Sequence, residues 1–115
     1  MKKRHRLSRS RDFDAVYRRG RSVSTRYLVL YWFLREEDDE AGAARLGIAV
    51  PRAIGGSTVR NRIKRQLREA WRVQLPETPS DYVLVVKPGL PEAVEARGFE
   101  WLTERVAEVL GKVAA

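Results

Sequence analysis

The spacing of hydrophobic positions changes along the chain, and each change marks a new element. Phe13, Val16 and Tyr17 recur at three- and four-residue intervals after Ser10, with Asp12 early and Gly20 as a stop. That spacing predicts a short amphipathic helix, capped by Ser10 and ended at Gly20. From Arg26 to Arg35 the period becomes two, in a run rich in aromatic and branched residues, as a strand requires. Leu28, Leu30, Trp32 and Leu34 make one face, and Tyr27, Val29, Tyr31 and Phe33 the other. Val23 fits a short extra strand before it. The acidic residues 36–40 with Ala41-Gly42 predict a hairpin connection, returning through a strand from Arg45 to Val50. Pro51 ends that strand, and Gly55-Gly56-Ser57 leads into a helix over about 58–74 that Pro76 and Pro79 close. Tyr82 to Val86 is unbroken and apolar, the pattern of a strand buried on both faces, ended by Pro88-Gly89. Pro91 then opens a final helix with Val94, Phe99, Leu102, Val106, Val109 and Leu110 on its apolar face. The order is helix, two or three strands, helix, strand, helix. This predicts an α+β fold, a single sheet of about four strands packed with three helices, containing a strand–helix–strand crossover that the general rule makes right-handed.

Length and composition narrow the class. The 115 residues predict one domain over 1–115, large enough to bury roughly two-thirds of its unfolded surface. Cysteine is absent, which excludes disulfides, thiolate metal sites and a thiol nucleophile. The longest apolar run, Tyr27 to Leu34, is far shorter than the roughly 20 residues of a membrane helix. The start is basic without the apolar stretch of a signal peptide, so a cytoplasmic protein without membrane attachment is expected. The formal charge of +8 is unevenly placed: residues 1–35 carry +9, residues 36–44 carry −5, residues 45–75 carry +7 and residues 76–115 carry −3. Alternating blocks predict a polarised surface that draws a polyanion to one side. Within the first block, Lys2, Lys3, Arg4, Arg6, Arg9 and Arg11 form a basic tail, with residues 1–9 expected to be mobile.

The helix over 58–74 carries the sharpest signal. At about 100° per residue, Val59, Ile63, Leu67 and Ala70 gather on one side with Trp71 at their edge. Asn61, Arg65, Arg68 and Arg72 point the other way, flanked by Arg62 and Lys64, while Arg60 sits nearer the core boundary. Solvated helices usually interleave acids with bases at four-residue spacing. Here six of the seven charged residues from Arg60 to Arg72 are positive. Repulsion at this spacing weakens an isolated helix, so a polyanion partner is the economical reading. Guanidinium suits it, being permanently charged and able to hold a phosphate through two parallel hydrogen bonds.

Arg60-Asn61-Arg62, Ile63-Lys64-Arg65 and Arg68-Glu69 together closely resemble the signature of the bacterial ribonuclease P protein family. Lys2-Lys3-Arg4 with Arg6-Leu7, Phe13-x-x-Val16-Tyr17-x-x-Gly20, Tyr27 to Tyr31, and Arg45 to Val50 agree in order and spacing. The resemblance runs through nearly the whole chain. It departs at Pro51-Arg52, where the family often has Ser-Lys-Lys, and at Thr58-Val59, where a hydrophobe and a base are usual. The resemblance implies a protein subunit without catalytic residues and a partner ribonuclease P RNA that hydrolyses precursor tRNA with Mg²⁺ bound mainly by that RNA. It implies that the arginine-rich helix lies against the RNA, with Arg52 beside it, and that a cleft between the first helix and the sheet holds the single-stranded 5′ leader. It also implies a left-handed crossover, against the general rule.

The residues themselves point to the same cleft. Phe13 and Tyr17 on the first helix are expected to face Tyr27, Val29, Tyr31 and Phe33 of the strand, and aromatic planes stack unpaired bases without regard to sequence. Aromatics at such spacings are more often core, so Phe13 and Phe33 divide between packing and binding. Tyr17 and Tyr31 keep a polar edge and read as functional. Trp32, Trp71 and Trp101 are assigned to packing. An autonomous nuclease needs an acid–base pair or a carboxylate metal cluster. The single histidine, His5, lies in the tail, and the acids at 36–40 are consecutive, so no catalytic or metal-ligating set is predicted and no small-molecule substrate is expected. The alternative is a ribosomal-type or chaperone-like RNA-binding protein without a catalytic partner.

Overall fold

The computed structural model describes residues 6–7, 10–34, 44–74 and 80–114. Its elements are α1 (Ser10–Arg19), β1 (Arg21–Ser24), β2 (Leu28–Leu34), β3 (Arg45–Ala49), α2 (Ser57–Gln74), β4 (Ser80–Val86), α3 (Leu90–Arg97) and α4 (Phe99–Ala114), with a turn of 3-10 helix at Arg52–Ile54. The α+β class and the four strands are as expected, and the short strand around Val23 is β1.

Sheet order is β1-β2-β4-β3, which corrects one expectation: β2 and β3 do not form a hairpin. β4 lies between them, antiparallel to β2 and parallel to β3. The hydrophobic run of β4 explains this. Six of its seven residues are buried, so it requires a strand on each side and a helix layer on each face. The hairpin is instead β1–β2, and α2 is the crossover between the parallel neighbours β3 and β4.

The two faces of the sheet differ in cover. Leu28, Leu30, Leu46, Tyr82, Leu84 and Val86 join Ile63, Leu67 and Trp71 of α2 and Leu102, Val106 and Val109 of α4 in the main core. On the other face, Val16 of α1, Val83 and Leu7 form a smaller core, flanked by Phe13, Tyr31, Phe33, Ala49 and Val85. Among the described residues, three helices therefore cover one face and α1 crosses the other.

The predicted final helix is two helices, so the described residues form four helices. Gly98 has φ +92°, a conformation that L side chains rarely adopt, and its N–H donates to the carbonyl of Val94 at 2.7 Å. The chain changes direction there. Val94 faces the core from α3, while Phe99 opens α4 with 44% of its surface exposed and leaves the apolar face to which it was assigned.

The tail expectation gives way at Arg6-Leu7. Arg6 forms a parallel bridge with Leu46, and the Leu7 N–H donates to the Leu46 carbonyl at 2.9 Å. This extends the sheet beyond β3, and Leu7 is buried beneath α1. Lys2, Lys3, Arg4 and Arg9, the acidic run 36–40, Pro76 and Pro79 lie outside the described residues.

Candidate nucleic-acid interface

Two surfaces gather the residues that the sequence singles out. The first is the outer face of α2. Because Ile63, Leu67, Ala70 and Trp71 are buried, helical geometry turns Asn61, Arg65 and Arg72 outward, and all three are exposed. Asn61, Lys64, Arg65, Arg68 and Glu69 line a shallow recess of about 500 Å³ together with Arg6. The bridge to Leu46 thus carries a base from the start of the chain onto the arginine ladder. Burial, and then the positive charge of Arg6, pull the Arg68 guanidinium below its ordinary pKa. The fold holds two like charges together, an electrostatic cost that an anion placed between them would offset.

The other bases of this set are placed differently. Arg60 is turned from the ladder, and its Nε donates to the Gly55 carbonyl at 3.2 Å, tying the start of α2 to the loop before it. Arg62 is exposed on the flank, where it borders a second recess with Gln66 and Glu95. Arg72 pairs with Glu69 across 3.6 Å, with both side chains more than half exposed, so the pair contributes little to stability. Arg52 is exposed in the 3-10 turn, and Arg11 is exposed in the first turn of α1.

The second surface is the thinly covered sheet face. Cross-strand register arranges it in rows: Arg45, Asp81 and Phe33; then Gly47, Val83, Tyr31 and Ser22; then Ala49, Val85, Val29 and Ser24. α1 lies along the middle row. The Phe13 ring occupies the space above Gly47, where a Cβ would approach the ring to 2.5 Å. Tyr17 meets Tyr31 edge to face, with centroids 4.9 Å apart and planes at 89°. Tyr17 is 40% exposed, and burial followed by the neighbouring Tyr31 phenol raises its pKa. Beyond α1, Ala49, Val85 and Val29 remain only half-buried. The result is a groove with an apolar floor and an aromatic wall. Phe33 shares this face but lies in the first row, beside Asp81.

Tyr27 does not belong to the groove. Residues 26–27 form a bend before β2, which breaks the alternation that put Tyr27 with Tyr31. Its ring packs on the opposite side, edge to face with Trp101 at 5.1 Å.

Sequence reasoning missed the pair that seats α1. Arg45 donates from Nε and Nη2 to the two carboxylate oxygens of Asp81 at 2.8 and 2.7 Å. Asp81 is buried, and Arg45 also stands 3.8 Å from Asp12 of α1. The fork geometry joins β3 and β4 to the helix above them. Neighbouring positions on parallel strands leave no sequence spacing that signals it.

The family model described as Ribonuclease P matches residues 1–114. The ribonuclease P protein component of Acidothermus cellulolyticus is 41% identical over 110 residues, covering 96% of this chain and 88% of that protein. The solved RNase P protein of Thermotoga maritima is 31% identical with a TM-score of 0.79, covering 93% of this chain and 96% of that one. That of Staphylococcus aureus is 28% identical with a TM-score of 0.77, covering 96% and 94%.

Proposed function

The chain belongs to the ribonuclease P protein family, and from that premise we propose that it is the protein subunit of a ribonucleoprotein that removes the 5′ leader of precursor tRNA in the cytoplasm. The observation that carries this reading is the recess in which Arg6 joins Arg65 and Arg68 of α2. Like charges assembled from distant parts of the chain have no structural purpose of their own, and a phosphate backbone supplies the counter-charge. In this proposal α2 binds the catalytic RNA. The groove beside α1 holds the unpaired leader, with Tyr17 and Tyr31 offering ring surface to its bases and Val29 and Val85 forming an apolar floor.

Mg²⁺ supplies the chemistry of phosphodiester hydrolysis and is held by the RNA in this proposal. Among the described residues no three His, Asp or Glu side chains gather as a metal site. The chain's own contribution is positioning and charge compensation. Neutralising phosphates lets two polyanions approach each other, and the protein accordingly lowers the Mg²⁺ concentration that cleavage requires.

The test is cleavage of a precursor tRNA by the protein alone, by a bacterial ribonuclease P RNA alone, and by both. Cleavage at lower Mg²⁺ with both than with the RNA alone, and none with the protein alone, is the expected result. Metal-dependent cleavage by rigorously RNA-free protein overturns it.

A further inference from the structure

Residues 76–115 carry a net charge of −3, yet all four of their bases converge on one corner of the molecule. Arg97, Arg105 and Lys112 line a cavity of about 360 Å³ together with Arg26, Tyr27, Trp101 and one acid, Glu108. It opens where the β1–β2 turn meets α4. The fourth base, Lys87, donates from its ammonium to the Thr25 carbonyl at 2.7 Å and to the Ser24 hydroxyl at 3.1 Å. Lys112 donates to the Ser24 carbonyl at 2.9 Å. These two lysines fasten the turn that forms the rim.

The arginines are held by rings. Arg26 lies 5.2 Å from the Tyr27 centroid, and Arg97 and Arg105 lie 5.7 and 5.4 Å from that of Trp101. A guanidinium within about 6 Å of a ring face is attracted to it by the ring quadrupole, which restrains these arginines at the rim while Arg26 and Arg97 stay exposed. The nearby acids form long ion pairs with Arg105 and no hydrogen bond. Glu104 and Glu108 stand 3.8 and 3.9 Å from Arg105 nitrogens, beyond hydrogen-bond distance. The Arg105 Nε is enclosed and has no hydrogen-bond partner among the described residues. Arg97, Trp101, Arg105 and Lys112 form one stripe along α3 and α4, away from the core stripe of Leu102, Val106 and Val109.

We propose that this corner is a second RNA site, which takes the phosphodiester backbone of a segment other than the one bound by α2. Planar, ring-held forks match phosphate geometry and carry no base-reading pattern, so binding here is independent of sequence. Position makes it a separate site. The corner lies at the β1 edge of the sheet, whereas Arg6 and the α2 ladder lie at the β3 edge. Three strand spacings put those edges about 14 Å apart, too far for a shared phosphate. A folded RNA large enough to touch both edges clamps the protein between them. The inference rests on the reading that the partner is RNA, and does not depend on the leader groove.

The test uses the full-length chain carrying Arg65→Ala and Arg68→Ala, which weakens the α2 ladder. The reporter is the indole N–H resonance of Trp101, assigned by its loss in Trp101→Phe. A short oligouridylate is expected to shift this resonance, and Arg26→Gln with Arg97→Gln to abolish the shift at an unchanged melting temperature. Both arginines are exposed, so the fold tolerates their loss. In the unaltered chain, the same pair of changes should lower the salt dependence of binding to ribonuclease P RNA by about one charge unit per arginine. An unmoved Trp101 overturns the proposal. So does a shift produced as well by polyglutamate, which points to an acidic protein partner, or by inorganic phosphate alone, which points to a general anion site. Failure of the α2 reading shows elsewhere, as RNA affinity unchanged by Arg65→Ala and Arg68→Ala.

Discussion

Arg65 and Arg68 share α2 with Leu67, and the three residues separate binding from stability. Leu67 is fully buried, whereas Arg65 is exposed and Arg68 opens onto the recess. Replacing both arginines by Ala should lower the salt dependence of binding to ribonuclease P RNA by about one to two charge units at an unchanged melting temperature. Leu67→Ala should cost about 2–5 kcal/mol in denaturant unfolding. Arginine variants that unfold while retaining RNA affinity would reverse the assignment of faces. Tyr82 gives a residue-level test of a different kind. It is buried against Trp71, and burial raises its pKa against the opposing effect of a hydrogen bond with Ser80. The unfolded chain therefore loses this proton first as pH rises. Stability is unaffected below about pH 10 and falls above it, where the folded state binds more protons than the unfolded one. Melting curves should show that fall, and Tyr82→Phe should make it shallower, with Tyr17 contributing in the same direction.

At the scale of elements, the seating of α1 decides the width of the groove. Phe13 occupies the space above Gly47, and Asp12 approaches the Arg45–Asp81 pair. A methyl group at position 47 would lie 2.5 Å from the Phe13 ring and 3.2 Å from Leu7 Cβ, so the ring and the helix carrying it must shift. Gly47→Ala should therefore cost about 1–3 kcal/mol by overpacking and weaken leader binding, while the α2 surface keeps its RNA affinity. Equal affinity for leader-bearing and leaderless substrates in both wild type and variant would separate α1 from any leader role. The break at Gly98 acts on the same scale. It lets α3 bury Val94 while α4 turns Trp101 toward Tyr27, which a continuous helix with the predicted apolar face does not do.

The whole molecule presents its surfaces in three directions: the α2 ladder at the β3 edge, the groove on the thinly covered face, and the Trp101 corner at the β1 edge. Under the proposed reading a protein so arranged holds RNA segments apart, and its substitutions should divide by substrate. Tyr17→Ala or Tyr31→Ala should weaken binding of precursor tRNA by about 1–3 kcal/mol per lost stack and spare mature tRNA, compared at one salt concentration. Tyr17 is well exposed, so its replacement isolates binding from packing more cleanly than that of Phe13, whose ring also fills space above Gly47. Equal losses on both substrates would make the aromatic face packing alone.

Local patterns along the chain were enough for most elements, their main amphipathic faces and the arginine ladder, because helix and strand periods act over neighbouring residues, though not for the break at Gly98. The core stripe of α2, the buried character of β4 and the outward turn of Arg65 were legible on that basis. The partners of each element were not. Strand order depends on which apolar surfaces exclude water best when assembled, and β4 between β2 and β3 replaced the hairpin that their succession suggested. Tyr27 changed sides because a two-residue bend, invisible to a strict period of two, precedes β2. Arg6 reached α2 through a single bridge to Leu46, and Arg45 found Asp81 on the adjacent parallel strand. Such contacts join residues with no fixed sequence separation, so only the closed tertiary structure decides them.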